Sequence, residues 1–324
     1  MPKSGRIWLI AAAVLTVLGL ILIAGAMLLS GGNLSGWNTE TLVTNSHSVS
    51  GDFAEISIET DTADVLLLPS DDASCKVVCK EFADEIHTVS VLNGVLSVRL
   101  TQERKWYDSI GIGTENPAVT VYLPQSAYAG VSLKTATGDV EIRDGFVFGS
   151  VGVSTSTGDV KCCAAVSGVV EISAGTGDIT LEENSVGSLN LSASTGRISV
   201  HSAACAGDIR IHVTTGDVSL RDVACASLIT DGGTGDLNLN RVTAADRFSI
   251  ERSTGDVEFA YCDAGEIFIK TTTGDVEGSF LSDKVFVIES NTGDIEVPKT
   301  MTGGLCEITT DTGDIEIDIH PAER

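Results

Sequence analysis

The triplet Thr-Gly-Asp recurs along this chain at a spacing that restricts the fold more than any other feature. Its threonines stand 19 or 20 residues apart, at Thr137, Thr157, Thr176, Thr195, Thr215, Thr234, Thr254, Thr273, Thr292 and Thr312. Nine of the ten copies read T-G-D, and the copy that begins at Thr195 reads T-G-R. A period of this length is typical of chains that stack one supersecondary unit many times.

Apolar residues occupy fixed positions on both sides of the triplet. The third residue after each threonine is aliphatic in all ten copies, and the sixth residue before it is apolar in all ten. Polar residues alternate with these positions, which predicts strands with an apolar inner face. One such unit cannot bury that face alone. The pattern therefore predicts an all-β fold, a β-solenoid of about ten 19–20-residue coils with a T-G-D corner, in which each strand pairs with its counterpart one repeat along.

The triplet suits a corner because glycine accepts a positive φ and aspartate can fold its carboxylate onto nearby backbone N–H groups. We interpret it as a structural turn column without catalytic, cofactor-binding or metal-binding residues. The column comprises Gly138, Asp139, Gly158, Asp159, Gly177, Asp178, Gly216, Asp217, Gly235, Asp236, Gly255, Asp256, Gly274, Asp275, Gly293, Asp294, Gly313 and Asp314.

Stacked aspartates about 4.8 Å apart repel one another, so something must offset the repulsion. Hydrogen bonds from local N–H groups are the simpler account, and bound calcium is the alternative; we otherwise expect no cofactor. Arg197 replaces one aspartate in the column, between Asp178 and Asp217, where it can neutralise both.

The N-terminus predicts a membrane anchor. Residues 7–29 carry no charge and follow Lys3 and Arg6, and about 20 apolar residues span a bilayer as a helix. We expect residues 1–6 in the cytoplasm, 7–29 as a transmembrane anchor, 30–48 as a linker, and the rest outside the cytoplasm. A cleaved signal peptide is the alternative, although its apolar core is usually shorter.

Residues 49–130 carry a more irregular β pattern, which we interpret as a degenerate cap module before a T-G-D solenoid over 131–320. An earlier copy of the repeat fits at Thr62, with Ala63 in place of glycine. Three strand-like stretches follow within 72–128, and "LNGV" predicts a hairpin turn. The aromatic loop at 105–113 is a candidate recognition site or simply part of the cap.

The repeated "S-x-x-T-G-D-V/I-x-L/I" pattern, "VTVYLP" at 119–124 and the N-terminal anchor together resemble the DUF4097 family of bacterial envelope proteins. The resemblance covers roughly residues 50–320. It implies β-strand repeats described as an adhesin domain, a position at the cell envelope, and in some relatives a link to envelope stress. It implies no catalytic residues.

The formal net charge of -25 argues against nucleic acid as a partner, because phosphate binding needs Lys and Arg. It favours cations or cationic partners. The five histidines, His47, His87, His201, His212 and His320, are scattered, and nucleophile-elbow, P-loop and zincin motifs are missing from the sequence. A polysaccharide-processing β-helix enzyme is therefore the weakest alternative.

The eight cysteines do not predict a disulfide scaffold. Cys162 and Cys306 occupy inward apolar columns, where a free thiol packs as a small hydrophobe. Only Cys205 and Cys225 are predicted to stack within disulfide reach, because each stands ten residues after its threonine.

These observations predict a membrane-anchored extracytoplasmic β-repeat protein, an adhesin or surface interaction module without catalytic activity. The alternative is an envelope-stress regulatory protein that contacts a membrane partner. We expect the last coil, which ends in "DIEIDIH", to present an open edge through which the chain can self-associate.

Overall fold

The computed structural model describes residues 14–19, 42–72, 74–101, 116–182 and 185–321. The described chain is an all-β solenoid of about nine turns, against the ten or so predicted. Residues 14–19 of the predicted anchor are helical. Within the described ranges, we find no helix with the length and hydropathy of a membrane span. The rest of segment 7–29 lies outside the described residues, so the anchor stays a prediction.

The strands are short near the N-terminus and longer in the middle of the solenoid. In chain order they are β1 (Leu42–Val49), β2 (Glu55–Glu59), β3 (Asp64–Pro69), β4 (Cys75–Phe82), β5 (His87–Leu92), β6 (Val95–Leu100), β7 (Ala118–Leu123), β8 (Ala127–Tyr128), β9 (Gly130–Thr137), β10 (Val140–Ile142), β11 (Val147–Phe148), β12 (Val151–Thr157), β13 (Val160–Cys162), β14 (Ala165–Thr176), β15 (Ile179–Glu182), β16 (Ser185–Thr195), β17 (Ile198–Cys205), β18 (Ile209–Thr215), β19 (Val218–Thr234), β20 (Leu237–Thr254), β21 (Val257–Thr273), β22 (Val276–Phe280), β23 (Lys284–Thr292), β24 (Ile295–Glu296), β25 (Gly304–Thr312) and β26 (Ile315–Ile319).

Equivalent strands of neighbouring coils pair in parallel register. Thr157, for example, pairs with Thr137 on one side and Thr176 on the other. Equivalent positions therefore stack about 4.8 Å apart. The inward aliphatic side chains form one continuous core, in which Ile179 and Ile198 retain no exposed surface. The predicted β-solenoid is thus confirmed.

A second corner lies seven residues after the threonine and was not predicted. Ser202, Asp222, Arg241 and Tyr261 stand at this position in four consecutive coils, each with φ between 53° and 55°. Non-glycine residues adopt such a φ only at special turns. The Arg241 guanidinium partly supports the corner by donating to the Asp222 carboxylate of the previous coil at 2.5 and 2.9 Å.

The N-terminal end places the early repeat copy inside the stack. Strand β2 pairs in parallel with both β6 and β9, and β3 pairs in parallel with both β7 and β10. The coil over 55–69 therefore lies between β6 and β7 on one side and the first T-G-D coil on the other. The predicted "LNGV" hairpin is confirmed between β5 and β6, with positive φ at Asn93 and Gly94. Strand β1, within the predicted linker, pairs antiparallel with β4.

The C-terminal end differs from the prediction in the order of its coils. Strand β25, from the last coil in sequence, pairs with β21 on one side and β23 on the other. Strand β26 likewise lies between β22 and β24. The last coil in sequence is therefore the second-last in space. The expectations that every strand pairs one repeat along and that the "DIEIDIH" coil forms the open edge are wrong; the outer edge belongs to the coil over 284–297.

Two local features accompany this exchange of order. Gly278, which interrupts an otherwise apolar column, has φ +146°, and Phe280 then enters the core against Phe259, with ring centroids 5.4 Å apart. Lys284, which opens the outer coil, is buried, and its ammonium donates to the Asp263 carboxylate at 2.5 Å and the Ala264 carbonyl at 2.8 Å. This buried ion pair ties the outer coil to a coil that is not its direct neighbour in the stack.

Candidate functional site

Each T-G-D glycine lies against the backbone of the coil on its N-terminal side in space. Gly216 has φ +144°, and a Cβ built on it would stand 2.0 Å from the Gly196 carbonyl oxygen. Gly235 has the same geometry against Gly216, at 2.1 Å. No side chain fits there, so the corner requires glycine for both its backbone angle and its close approach.

The aspartates of the triplet form a hydrogen-bonded ladder between coils. The Asp159 N–H donates to the Asp139 carboxylate at 2.8 Å, and the Asp178 N–H donates to the Asp159 carboxylate at 2.7 Å. The ladder begins at Asp64 of the early copy. We expected these carboxylates to fold onto N–H groups of their own turn; instead they bind the next coil, which offsets their mutual repulsion.

The ladder changes at Arg197. Its N–H donates to the Asp178 carboxylate at 2.8 Å, and its guanidinium Nη2 lies 3.6 Å from an oxygen of Asp217. We expected Arg197 to neutralise both aspartates. Its guanidinium pairs with Asp217, whereas its contact with Asp178 is the same backbone bond that the ladder aspartates make. Since it carries no carboxylate, it replaces the usual ladder bond to the following coil with an ion pair.

An acidic array covers the outer side of the corner near the C-terminal end. Glutamates two residues beyond the ladder aspartates stack in the spatial order Glu258, Glu277, Glu316 and Glu296. Burial, and next the charges of Asp275, Glu316 and Glu258, raise the pKa of Glu277 above its usual value. With the ladder aspartates beside them, these glutamates form a dense negative surface that we call the acidic face.

The outer coil over 284–297 leaves its apolar residues half covered. Ile295 is 47% exposed and Ile288 is only partly buried, whereas their partners in the neighbouring coil, Ile315 and Ile308, are fully buried. The free edges of β23 and β24 also lie here. This coil is therefore the open end of the solenoid among the described residues.

A buried polar cluster lies in the cap, and sequence reasoning missed it. Glu81, 1% exposed, follows Cys79 on the inward face of β4 and accepts hydrogen bonds from His87 Nδ1 at 2.7 Å and Asn45 Nδ2 at 2.6 Å. His87 Nε2 lies 2.9 Å from Thr60 Oγ1. Burial, then the charge of Glu81, raises the pKa of the Cys79 thiol to about 12. The available signal was a carboxylate in an alternating apolar column.

The other candidates from the sequence do not converge on one site. On the surface, His212 Nδ1 lies within hydrogen-bond distance of the Asp231 carboxylate, and the His320 ring lies near Tyr261 at a tilt of 41°. His201 and His47 lie apart from both. The aromatic loop at 105–113 lies outside the described residues. No histidine other than His87 joins a cluster of potential metal ligands within the described part of the chain.

All eight cysteines are free thiols, seven of them buried. Cys205 and Cys225, the predicted pair, point to different backbone carbonyls: Cys205 Sγ lies 3.4 Å from the Gly207 oxygen and Cys225 Sγ lies 3.7 Å from the Thr243 oxygen. Burial raises the pKa of the Cys225 thiol to about 12, which keeps it protonated at neutral pH.

Fold and corner geometry define an all-β solenoid repeat protein. The model of the DUF4097 family, called Toastrack, matches residues 53–212 and 206–324. The chain therefore belongs to the DUF4097 family, and the resemblance in its sequence is confirmed.

Several solved structures match the chain at low identity and with TM-scores below 0.5. A "putative adhesin" from Parabacteroides distasonis is 12% identical with a TM-score of 0.49, and the alignment covers 86% of this chain and 98% of that one. A "putative adhesin" from Parabacteroides merdae is 12% identical with a TM-score of 0.46, over 74% and 96% of the two chains. A "putative lipid binding protein" from P. distasonis is 12% identical with a TM-score of 0.31, over 86% and 97%. No curated protein matches the chain.

Proposed function

We propose that this chain is a membrane-anchored, extracytoplasmic interaction module, an adhesin or surface-binding protein that acts without catalysis. Membership of the DUF4097 family and the uncharged segment 7–29 after two basic residues support this role. In it, the anchor holds the solenoid at the membrane and the coils present their outer faces to a partner.

The observation that carries the proposal is the register of the outward side chains. Successive coils place equivalent residues in straight columns about 4.8 Å apart, and the acidic face adds a row of four glutamates to the aspartate ladder. A repeated row of like charges fits a partner that repeats its own charges, such as a polymer or a densely decorated surface. Its sign selects cationic groups.

The first test is crosslinking of the full-length protein in its native cells, followed by identification of what is captured. Wall polymer or foreign surface material supports the adhesin. A protein of the same membrane, captured through the anchor or the cap, overturns it in favour of the envelope-stress regulator. Turnover of a glycan in an activity screen overturns the non-catalytic role.

A charge-matched pair of variants tests the acidic face. Changing Glu258, Glu277, Glu316 and Glu296 to Gln should weaken binding to the captured partner about tenfold or more, equivalent to about 1.4 kcal/mol. The control changes the same number of glutamates on the other solenoid side, Glu171, Glu251, Glu289 and Glu307, to Gln. Equal weakening by both variants contradicts a role for the acidic face, because net charge alone then explains the loss.

A further inference from the structure

The buried cluster in the cap brings together three side chains that bind metals. Atoms of Cys79, Glu81 and His87 that can act as ligands all lie within 4.8 Å of one another, and all three residues are buried. Thiolate, carboxylate and imidazole are the ligand types that zinc uses in proteins. We propose that these three residues form a binding site for a zinc-type divalent cation, a role separate from the interaction proposed for the solenoid faces.

Charge balance favours a divalent cation at this position. When Cys79 is deprotonated, its thiolate and the Glu81 carboxylate carry two negative charges, and neutral His87 adds none. A divalent ion among them gives a neutral group, which removes the large cost of burying an unpaired charge. The hydrogen bonds of this cluster join Thr60, His87 and Glu81. Within the described residues the Cys79 thiol makes none, so its sulfur is available to bind a cation.

Hydrogen bonds from neighbouring residues can orient His87 and Glu81 for metal binding. With Nδ1 on the metal, His87 Nε2–H can donate to Thr60 Oγ1, now 2.9 Å away. Asn45 Nδ2 already holds the second Glu81 oxygen at 2.6 Å. Metal-bound histidines and carboxylates are typically oriented by such partners.

Binding exchanges one proton for the divalent ion, so the charge of the cluster rises from about -1 to about 0. The Nδ1–Oε2 distance of 2.7 Å is that of a hydrogen bond. Tetrahedral zinc at about 2.0–2.2 Å from each atom requires the two atoms to separate by about 0.7 Å. The cation displaces the thiol proton of Cys79 to solvent. The imidazole proton moves from Nδ1 to Nε2, and the Thr60 hydroxyl turns from donor to acceptor.

Cobalt is the probe for the test, because thiolate ligation to Co²⁺ gives a charge-transfer band in the near ultraviolet. The full-length protein, reduced and stripped with chelator, should bind one Co²⁺ per chain with this band, and Zn²⁺ should displace it. Cys79→Ser should abolish the band and weaken Zn²⁺ binding roughly 100-fold. Cys75→Ser, on the same inward face of β4, is the matched control and should retain both.

A wild-type protein without the band, or a Cys79→Ser variant that keeps it, overturns the proposal. If Cys79→Ser does not fold, X-ray absorption of the zinc-loaded wild type decides the question. One sulfur with nitrogen and oxygen neighbours supports the site, whereas a shell without sulfur or with several sulfurs refutes it.

Discussion

Single residues in the T-G-D triplet have separate tasks. The glycine lets coils approach, and the aspartate receives the N–H of the next coil. The exception at Ala63 follows from its place in the stack, because each corner glycine faces the coil on its N-terminal side in space. On that side of Ala63 lies β7, and the sequence around β7 contains no T-G-D triplet. Alanine is therefore tolerated there, although the sequence alone shows only a missing glycine.

Replacing a corner glycine should be severely destabilising. In Gly235→Ala, the new Cβ meets the Gly216 oxygen at 2.1 Å with φ at +133°, and we expect a loss of at least about 3 kcal/mol in the free energy of unfolding. Gly152→Ala is the control, since its Cβ stands 3.9 Å from the nearest backbone atom. Urea denaturation of both variants measures the difference; similar midpoints would show that the corner is not under steric constraint.

Replacing the buried Arg252 should have the opposite effect and stabilise the fold. Arg252 is 2% exposed, its Nε and Nη1 find no partner in the described structure, and Nη2 lies 3.4 Å from Thr230 Oγ1. Burial lowers the pKa of Arg252 despite the negative charges of Asp231, Asp217 and Asp236. A guanidinium in this position costs free energy through desolvation and unmade hydrogen bonds.

Arg252→Met should therefore stabilise the solenoid, by about 1 kcal/mol or more. Thermal unfolding measures the change. Arg210→Met removes an exposed guanidinium paired with Asp208 and should shift stability by less than about 1 kcal/mol. A less stable Arg252→Met would mean that the field of the aspartates outweighs the burial cost.

The sequence predicted individual strands and the hairpin correctly, but it did not predict which of the last coils lie next to each other. The alternation of β4 and the "LNGV" turn have local causes, namely side-chain burial and backbone angles at two residues. The exchanged order of the last two coils has no such local cause. Both corners keep the 19–20-residue spacing, so either order satisfies the repeat. Only Gly278, the break in the apolar column, indicated an irregularity at this point.

Paired cysteines at the corners test the order of coils. In a Cys163→Ser background, Thr273→Cys with Thr312→Cys should form a disulfide readily, because these positions pair directly. Thr273→Cys with Thr292→Cys should not, since two coil steps separate them by about 9.6 Å. Mass spectrometry after mild oxidation reads the result. The reverse outcome would show that the coils stack in sequence order.

For the whole molecule, the excess of negative charge is the main electrostatic term. The net charge of -25 and the stacked carboxylates repel one another in the folded state more than in the unfolded chain. Burial raises the pKa of Glu277, and repulsion from neighbouring carboxylates raises it further. Coil stacking thus works against electrostatics and depends on the core and the backbone ladders.

Stability should therefore increase as the pH falls from neutral towards the usual carboxyl range. We expect the net charge and the raised pKa of Glu277 to outweigh the opposite effect of Asp72 and Asp222, whose pKa values are lowered by hydrogen bonds. A carboxyl group with a raised pKa binds its proton at higher pH in the folded state than in the unfolded state, so proton uptake favours folding until the unfolded chain is protonated too. Added salt should stabilise at neutral pH through screening. Denaturation midpoints across pH test this, and Glu277→Gln should reduce the slope. A midpoint that falls steadily on acidification would contradict the expectation.

The sequence by itself determined the repeat, the sidedness of the strands and the corner, because these follow from interactions within a coil or between identical neighbours. The tertiary structure decided which coil neighbours which, as shown by the last coil lying between β21 and β23. The tertiary structure also brings His87 next to Cys79 and Glu81. Thr60, from a different coil, contacts His87 there. A repeat makes alternative neighbours nearly equivalent in local energy, so their choice rests on contacts at the ends, where the repeat is broken.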